Sequence, residues 1–230
     1  MAFFSLNGLK SKLSVPVFNI SKLGNDGGIY KSEDDGNSWA DLSDGLQITQ
    51  FYKIGISQTN FGLVLGGSQD NGTLRCNTQN DWTAVRGGDG MECAVDPTDA
   101  SIMYSELYYG DIGISYDGGN SWDNIAPDTD GEWITPYQID QNSPNRIVIG
   151  YDVVYESLDY GSTWNAISNG FNNSSTIDVI CLAPSDDETI YIAEEDDIFR
   201  TSDGGQNWIN ISSALPNNSV TFLAVHPKNP

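Results

Sequence analysis

The sequence repeats one eight-residue pattern four times, as SEDDGNSW at residues 32–39, SYDGGNSW at 115–122, SLDYGSTW at 157–164 and TSDGGQNW at 201–208. The shared pattern is S/T-x-D-x-G-x-x-W, and a shorter, degenerate copy, CNTQNDW, ends at Trp82. The five tryptophans that end these copies are about forty residues apart, a repeat length typical of propeller blades with four short strands each. The sequence therefore predicts an all-β protein, a β-propeller of four-stranded antiparallel blades.

Each eight-residue box has the residue types of a tight hairpin turn. Its Ser or Thr hydroxyl and its Asp carboxylate can accept hydrogen bonds from backbone N–H groups. Its Gly permits positive φ, and its Trp buries a large ring. We therefore interpret the box residues as structural and not catalytic. They are Ser32, Asp34, Gly36, Trp39, Ser115, Asp117, Gly119, Trp122, Ser157, Asp159, Gly161, Trp164, Thr201, Asp203, Gly205 and Trp208.

Apolar segments between the boxes supply the remaining strands, and together they define the domain organisation. The predicted blades lie at about residues 15–46, 47–87, 88–130, 131–173 and 174–215, with the start of a further blade at 216–230, after an unassigned segment 1–14. Two interpretations of the ends stay open. The segment after the last box could complete a closed ring of five blades, or the ring is incomplete and its remaining blades belong to a longer chain. We favour the incomplete ring because residues 1–14 match no blade.

The composition excludes several classes of partner. The chain has 230 residues, and 32 acidic against 10 basic residues give it a net charge of -22. Nucleic-acid binding requires clustered Lys and Arg, so nucleic acid is not expected as a partner. No apolar stretch approaches the ~18 residues of a membrane span, and the N-terminal residues lack a signal-peptide pattern.

Strand direction predicts where a ligand would bind. The box turns join third to fourth strands, so the second-to-third loops and the loops between blades lie at the opposite face, where ligands usually enter. Trp133 departs from the forty-residue spacing and could stack on a sugar ring, although it could also fill a gap at a blade edge. The predicted ligand-binding residues of this face are Gln50, Gln69, Asp70, Asp89, Asp111 and Trp133.

The boxes match the Asp-box (BNR) repeat, and a further resemblance covers about residues 23–125. There, the motifs GNDGG, GLQITQFY, GGSQDNGT and GGDGMECAVDP are similar to those of secreted Bacteroidetes proteins labelled as glycosyl-hydrolase or BNR-repeat proteins. More distantly, the chain resembles propellers of xyloglucanase-type glycoside hydrolases and of sortilin-type receptors. These resemblances imply a secreted or cell-surface module that is glycan-binding or related to glycoside hydrolases, with a polysaccharide or a protein as ligand.

Whether the protein is an enzyme stays open at this point. A glycoside hydrolase would need two carboxylates beside the scissile bond, for which Asp70, Asp89 and Asp111 are the candidates. GDIG around Asp111 is similar to the general-acid region of xyloglucanase-type enzymes, but Asn25 replaces the expected base in NDGGIYK. The alternatives are a non-catalytic, sortilin-like protein-binding propeller and an architectural repeat of a large surface protein.

One acidic loop raises the question of a metal. Asp128, Asp130 and Glu132 form a D-x-D-x-E cluster, and oxygen-rich loops suit calcium. The full EF-hand spacing is missing, so a solvated loop is the alternative. We expect no other cofactor.

Overall fold

The fold was analysed in a computed structural model, which describes residues 13–14, 21–25, 28–45, 49–77, 81–171, 176–216 and 218–230. Every regular element within these ranges is a β-strand, apart from two 3-10 turns at Tyr108–Gly110 and Ser212–Ala214. None of the described helical segments is long and apolar enough to cross a membrane.

The strands form five four-stranded antiparallel sheets, each built from strands that are consecutive in the chain. Sheet 1 contains β1 (Leu13–Ser14), β2 (Ser21–Asn25), β3 (Gly28–Ser32) and β4 (Ala40–Asp41). Sheet 2 contains β5 (Phe51–Ile56), β6 (Val64–Ser68), β7 (Gly72–Cys76) and β8 (Trp82–Arg86). Sheet 3 contains β9 (Gly90–Val95), β10 (Met103–Leu107), β11 (Asp111–Ser115) and β12 (Asp123–Asn124). Sheet 4 contains β13 (Tyr137–Ile139), β14 (Ile147–Gly150), β15 (Val154–Ser157) and β16 (Asn165–Ala166). Sheet 5 contains β17 (Val179–Leu182), β18 (Ile190–Glu194), β19 (Asp197–Thr201) and β20 (Ile209–Asn210). The predicted all-β fold of four-stranded antiparallel blades is confirmed.

The chain divides into two compact units, Met1–Gln50 and Phe51–Pro230. The first unit contains sheet 1, which begins at Leu13, two residues before the predicted start of the first blade at residue 15. Strand β1 pairs with β2 over two residues, and backbone pairing requires no apolar pattern that a sequence would reveal. Residues 1–12 of the predicted unassigned segment lie outside the described residues.

In the unit Phe51–Pro230, the apolar core lies between successive sheets. Strand β9 packs against β5 and β6 of the preceding sheet, and β17 packs against β13 and β14. Side chains from both partners meet in each gap. One example is the cluster of Tyr104 and Ile112 from sheet 3 with Tyr137 and Ile149 from sheet 4, all of which are buried. Each sheet therefore depends on its neighbour for burial of its apolar face.

Three box tryptophans connect sheets 3, 4 and 5 to the sheet that precedes each of them. The indole Nε1–H of Trp122 donates to the carbonyl oxygen of Val85 at 2.9 Å, that of Trp164 to Ile125 at 2.6 Å, and that of Trp208 to Ile167 at 3.0 Å. Each acceptor lies three residues after the tryptophan of the preceding repeat. The rings pack against the same gaps between sheets.

All four boxes form the same turn, for which residues 157–164 serve as the example. The Ser157 hydroxyl accepts a hydrogen bond from the Gly161 N–H at 2.8 Å and donates one to Asp159 Oδ1 at 2.8 Å. Asp159 also accepts from the backbone N–H of Thr163 at 2.8 Å and from its hydroxyl at 2.7 Å. Hydrogen bonds from Thr163 and Ser157 lower the pKa of Asp159. Gly161 has a φ of 84°, which a residue with a side chain rarely adopts.

Removing the hydroxyl of one box should destabilise its turn. We expect Ser157→Ala to lower the free energy of unfolding by about 1–2 kcal/mol, because the buried Ser157 hydroxyl is the acceptor for the Gly161 N–H. Urea denaturation followed by tryptophan fluorescence measures this loss. Ser185→Ala, at an exposed serine outside the boxes, is the control. Equal urea midpoints for the two variants would show that the hydroxyl does not stabilise the turn.

Candidate functional site

The candidate site lies at the sheet ends opposite the box turns, in the unit Phe51–Pro230. Two kinds of connection run there, because neighbouring strands are antiparallel: second-to-third connections, such as 69–71 and 108–110, and connections between sheets, such as 87–89 and 125–136. These segments, with the first residue of β11, contain five of the predicted ligand-binding residues, namely Gln69, Asp70, Asp89, Asp111 and Trp133. The sixth, Gln50, is exposed and belongs to the other unit.

Asp70 and Asp89 are neighbours. The backbone N–H of Asp70 donates to Asp89 Oδ1 at 2.6 Å, although the two residues belong to different connections, which are separated by strands β7 and β8. Asp70 has a φ of 61°, in the left-handed region. The Gln69 carbonyl oxygen accepts the Asn71 N–H at 2.8 Å within the same turn. One oxygen of Asp89 is therefore used to hold the turn, while the exposed side chain of Asp70 faces solvent.

Two glycines allow these connections to approach each other. A Cβ on Gly72 would lie 2.1 Å from the Arg86 carbonyl oxygen, and a Cβ on Gly90 would lie 2.5 Å from the Gly72 carbonyl oxygen. Both distances are too short for a real side chain. Gly72 and Gly90 are therefore required by close backbone packing.

Asp111 is held by two side chains. Arg86 forms an ion pair with its Oδ1 at 3.4 Å, and the Asn124 side-chain amide donates to the same oxygen at 2.6 Å. The Asn–Asp hydrogen bond recurs in sheet 5 between Asn210 and Asp197 at 2.9 Å. That contact therefore supports the strand edge in both sheets, and Asp111 is also paired with Arg86.

An exposed aromatic cluster lies in the connection before Asp111 and in the connection after sheet 3, and we call Tyr108, Tyr109 and Trp133 the aromatic platform. The rings of Tyr108 and Trp133 stack, with centroids 5.5 Å apart and planes 8° apart. Tyr109 meets both rings edge-on, at 5.8 Å from Tyr108 and 5.4 Å from Trp133. The three residues are 44%, 50% and 36% exposed, so large ring surfaces face solvent. The backbone of Tyr109 has a φ of 63°, an uncommon value that turns its ring toward the other two.

Backbone contacts fix the two segments that carry the platform. The Gly131 N–H donates to the Tyr109 carbonyl oxygen at 3.0 Å, which joins the segment before Trp133 to the turn that holds the tyrosines. The buried Tyr151 hydroxyl donates to the Gly110 carbonyl oxygen at 2.7 Å. The aromatic platform therefore has a rigid support on two sides.

A buried carboxylate, Glu106, lies at the base of these segments. Its Oε1 accepts hydrogen bonds from the N–H groups of Thr135 at 2.7 Å and Gly110 at 3.2 Å, and its Oε2 accepts from the N–H of Glu92 at 3.1 Å. The residue is fully buried, and this burial raises the pKa of Glu106 to about 8. The backbone hydrogen bonds act in the opposite direction and only reduce the shift.

The structure brings some predicted residues together and adds others. Trp133 belongs to a cluster whose other members, Tyr108 and Tyr109, were not predicted, although the motif YYGDIG places them beside Asp111. No group of three potential metal ligands is found among the residues that the structure describes, which include Asp128, Asp130 and Glu132. Glu132 instead hydrogen-bonds the Thr176 hydroxyl.

A separate cavity of about 570 Å³ runs along the first strands β5, β9, β13 and β17 and the segment Thr221 to Val225. Gln58 and Gln141 hydrogen-bond to each other in its wall. None of the predicted ligand-binding residues lines it. We place the candidate site at the aromatic platform and not in this cavity, because the platform combines exposed rings with adjacent carboxylates.

Solved structures similar to this chain are β-propeller proteins of low sequence identity. An ancestral GH74 enzyme matches with a TM-score of 0.65 and 18% identity over 91% of this chain and 32% of that chain. The GH74 enzyme of Niastella koreensis matches with a TM-score of 0.60 and 19% identity over 90% of this chain and 37% of that one. The extracellular domain of a protein of B. thetaiotaomicron described as a one-component system has a TM-score of 0.58, at 10% identity over 92% of this chain and 29% of its own length.

This chain thus spans about a third of the length of the structures it matches. No family model and no curated protein matches the sequence. At these identities the similarity establishes the propeller fold alone.

Proposed function

We propose that the protein is a glycan-binding propeller module, and that the aromatic platform stacks on the apolar face of a sugar ring. The observation that carries this proposal is the exposed stack of Tyr108 and Trp133, which offers a flat apolar surface beside polar groups. Pyranose rings present such an apolar face of C–H groups, and their hydroxyls require hydrogen-bond acceptors at the ring edge. Asp111 and the neighbouring pair Asp70 and Asp89 are the acceptors we assign to this role, with Gln69 beside them.

Charge favours neutral sugars or amino sugars over acidic ones. The chain has a net charge of -22, and Asp128, Asp130 and Glu132 are exposed in the connection that carries Trp133. The nearest arginine, Arg86, is already paired with Asp111. A uronic acid would therefore meet repulsion at the site, whereas a glucosamine unit would meet attraction.

We propose binding and not hydrolysis as the primary activity. Of the three candidate carboxylates, Asp89 accepts the Asp70 N–H and Asp111 is held by Arg86 and Asn124. These contacts engage Oδ1 of each residue and give both a role in holding the site. Release of reducing sugar that is lost in both Asp89→Ala and Asp111→Ala would establish the hydrolase instead.

We also propose that the four boxes are Asp-box repeats with a structural role, and that the five sheets are the predicted blades. Each box aspartate accepts hydrogen bonds from its own turn, which joins the third and fourth strands of its sheet. A secreted or cell-surface location is proposed on the resemblance of the sequence motifs to secreted propeller proteins.

Binding should depend on the rings of the platform. We expect Trp133→Ala and Tyr108→Ala each to weaken the affinity for a neutral or amino-sugar oligosaccharide at least tenfold, because each removes one half of the stack. A glycan array identifies the ligand, and titration calorimetry measures the affinity. Trp39→Ala is the matched control, since Trp39 is 41% exposed against 36% for Trp133 but lies in a box.

Two outcomes would contradict the proposal. If a glycan binds and neither platform variant weakens it, the site lies elsewhere on the protein. If no glycan binds at all, the protein-binding alternative replaces this one, and the platform variants should then be tested against a protein ligand.

A further inference from the structure

At one equivalent position in the second strand of each sheet, sheet 3 has a different type of residue from the other four sheets. In each second strand, one residue pairs with the first residue of the box, or with Cys76 in the degenerate copy. The position in question lies three residues after that paired residue. The residues at this position are Gly24, Gly67, Glu106, Gly150 and Ala193. Four of the five are small, and Glu106 is the exception.

At Gly67 and Gly150, the lack of a side chain is explained by the packing of adjacent sheets. A Cβ on Gly67 would lie 1.8 Å from the Met91 carbonyl oxygen, and a Cβ on Gly150 would lie 2.7 Å from Cγ2 of Ile177. In both cases the contacted atom belongs to the chain at the start of the next sheet. Between sheets 3 and 4, the corresponding space contains the Glu106 side chain. The two sheets do not approach closely at this position, and hydrogen bonds to the Glu106 carboxylate connect them instead.

These hydrogen bonds connect the two segments that carry the aromatic platform. Gly110 follows Tyr109 directly, and Thr135 lies two residues after Trp133. The same oxygen of Glu106, Oε1, accepts the N–H of both Gly110 and Thr135. Displacement of this carboxylate would therefore release both segments, and the rings could lose their stacked arrangement.

We propose that Glu106 is a positioning residue of the glycan site, and that its protonation makes ligand binding depend on pH. The proposal rests on the proposed glycan-binding function. Glu106 itself is buried and does not contact the ligand. It acts through the backbone of the turn at Gly110 and of the segment at Thr135.

The charged and titratable groups around Glu106 come from several elements. Glu92 on β9 faces Lys53 at 3.3 Å, and Arg86 on β8 faces Asp111. Both of these acids already have basic partners. Tyr137 on β13 and Tyr151, after β14, are buried, and burial raises the pKa of both phenols, so neither ionises near neutral pH. The single histidine of the chain, His226, lies in the C-terminal turn and has its Nδ1 near the Lys228 N–H.

The sign of the pH effect follows from the direction of the shift. We call the arrangement closed when Glu106 accepts the N–H groups of Gly110 and Thr135, and opened when these hydrogen bonds are broken. In the closed arrangement, burial raises the pKa of Glu106 from its ordinary value of 4.5 to about 8. The closed arrangement therefore binds the proton more tightly than an opened one. The free-energy advantage of the closed arrangement over the opened one is complete below about pH 4.5 and decreases as the pH rises toward about 8. Binding should be stronger at acidic than at alkaline pH.

The experiment compares wild type with Glu106→Gln, which mimics the protonated side chain, at about pH 5 and about pH 8.5. Calorimetry with the neutral oligosaccharide selected by the array should give at least threefold weaker binding by wild type at the higher pH. Glu106→Gln should bind with the same affinity at both. Glu92→Gln is the matched control and should keep a pH dependence whose midpoint moves only slightly toward lower pH, because its side chain faces Lys53 and its charge is the smallest of the causes that shift the pKa of Glu106.

A measurement without ligand separates this proposal from the proposed function. The amide NMR signals of Gly110 and Thr135 in wild type should shift together, with a midpoint near pH 8. If they shift while no glycan binds, the positioning role holds and the glycan-binding function is wrong. If these signals show no titration in wild type, or if Glu106→Gln folds and retains the wild-type pH dependence of binding, the positioning role is overturned.

Discussion

Trp164→Ala is expected to lower the free energy of unfolding by about 2–4 kcal/mol. This is one of the two largest losses of stability that we expect for a single substitution in this protein. The Trp164 ring packs on the core between sheets 3 and 4, and its Nε1–H donates to the Ile125 carbonyl oxygen at 2.6 Å. Truncation leaves both a cavity and an unpaired carbonyl group at the same sheet contact. Guanidinium unfolding followed by circular dichroism measures the effect.

Two further variants separate the causes of this loss. Trp164→Phe keeps most of the ring but removes the N–H donor, so it should give a smaller loss, of about 1 kcal/mol. Trp39→Ala changes the same box position at a tryptophan that is 41% exposed, so it should lower the free energy of unfolding much less. An equal loss in Trp39→Ala and Trp164→Ala would contradict the assignment of the effect to the contact between sheets.

Glu106→Ala is expected to destabilise the protein by about 3 kcal/mol or more at about pH 5. The substitution leaves three backbone N–H groups, those of Glu92, Gly110 and Thr135, without their acceptor, and each such loss typically costs about 1–3 kcal/mol. Steric strain does not contribute, because sheet 5 already has an alanine, Ala193, at this position. Urea unfolding measures the loss.

The control for this prediction is Glu92→Ala, which removes a carboxylate whose partner, the Lys53 ammonium, is 45% exposed. An ion pair with so exposed a partner contributes little, so the loss should be below about 1 kcal/mol. If Glu106→Ala unfolds at the wild-type urea concentration, water must satisfy the three N–H groups and the carboxylate has no structural role.

The fold was predictable because its determinants are local and repeated. Each box contains its own turn hydrogen bonds, such as those of Ser157 and Asp159, so eight residues suffice to identify it. Strand β1, with two residues, was not predicted, because backbone pairing leaves no pattern in so short a segment. The contact of Trp164 with the preceding sheet was also beyond the sequence, since it joins atoms of different repeats.

The candidate site was predictable only in part. Strand direction indicated that Asp70, Asp89 and Trp133 lie at the sheet ends opposite the box turns, because antiparallel order determines on which side each connection lies. The stacking of Trp133 on Tyr108 depends on how the connection 125–136 folds back. No periodicity in the sequence predicts the path of that connection. Glu106 was missed because a single glutamate in an apolar strand has no motif, although alignment of the five repeats places it in a column of small residues.

The tryptophan bonds between sheets give the unit Phe51–Pro230 a nearest-neighbour character. Each of Trp122, Trp164 and Trp208 couples its own sheet to the preceding one and to no other. Stability in such an array is a sum of intrinsic sheet terms and pairwise coupling terms, as in a one-dimensional Ising chain. Weakening one coupling should therefore create a break point from which unfolding spreads outward. Paired substitutions at Trp122 and Trp208, which share no coupling, should have additive effects.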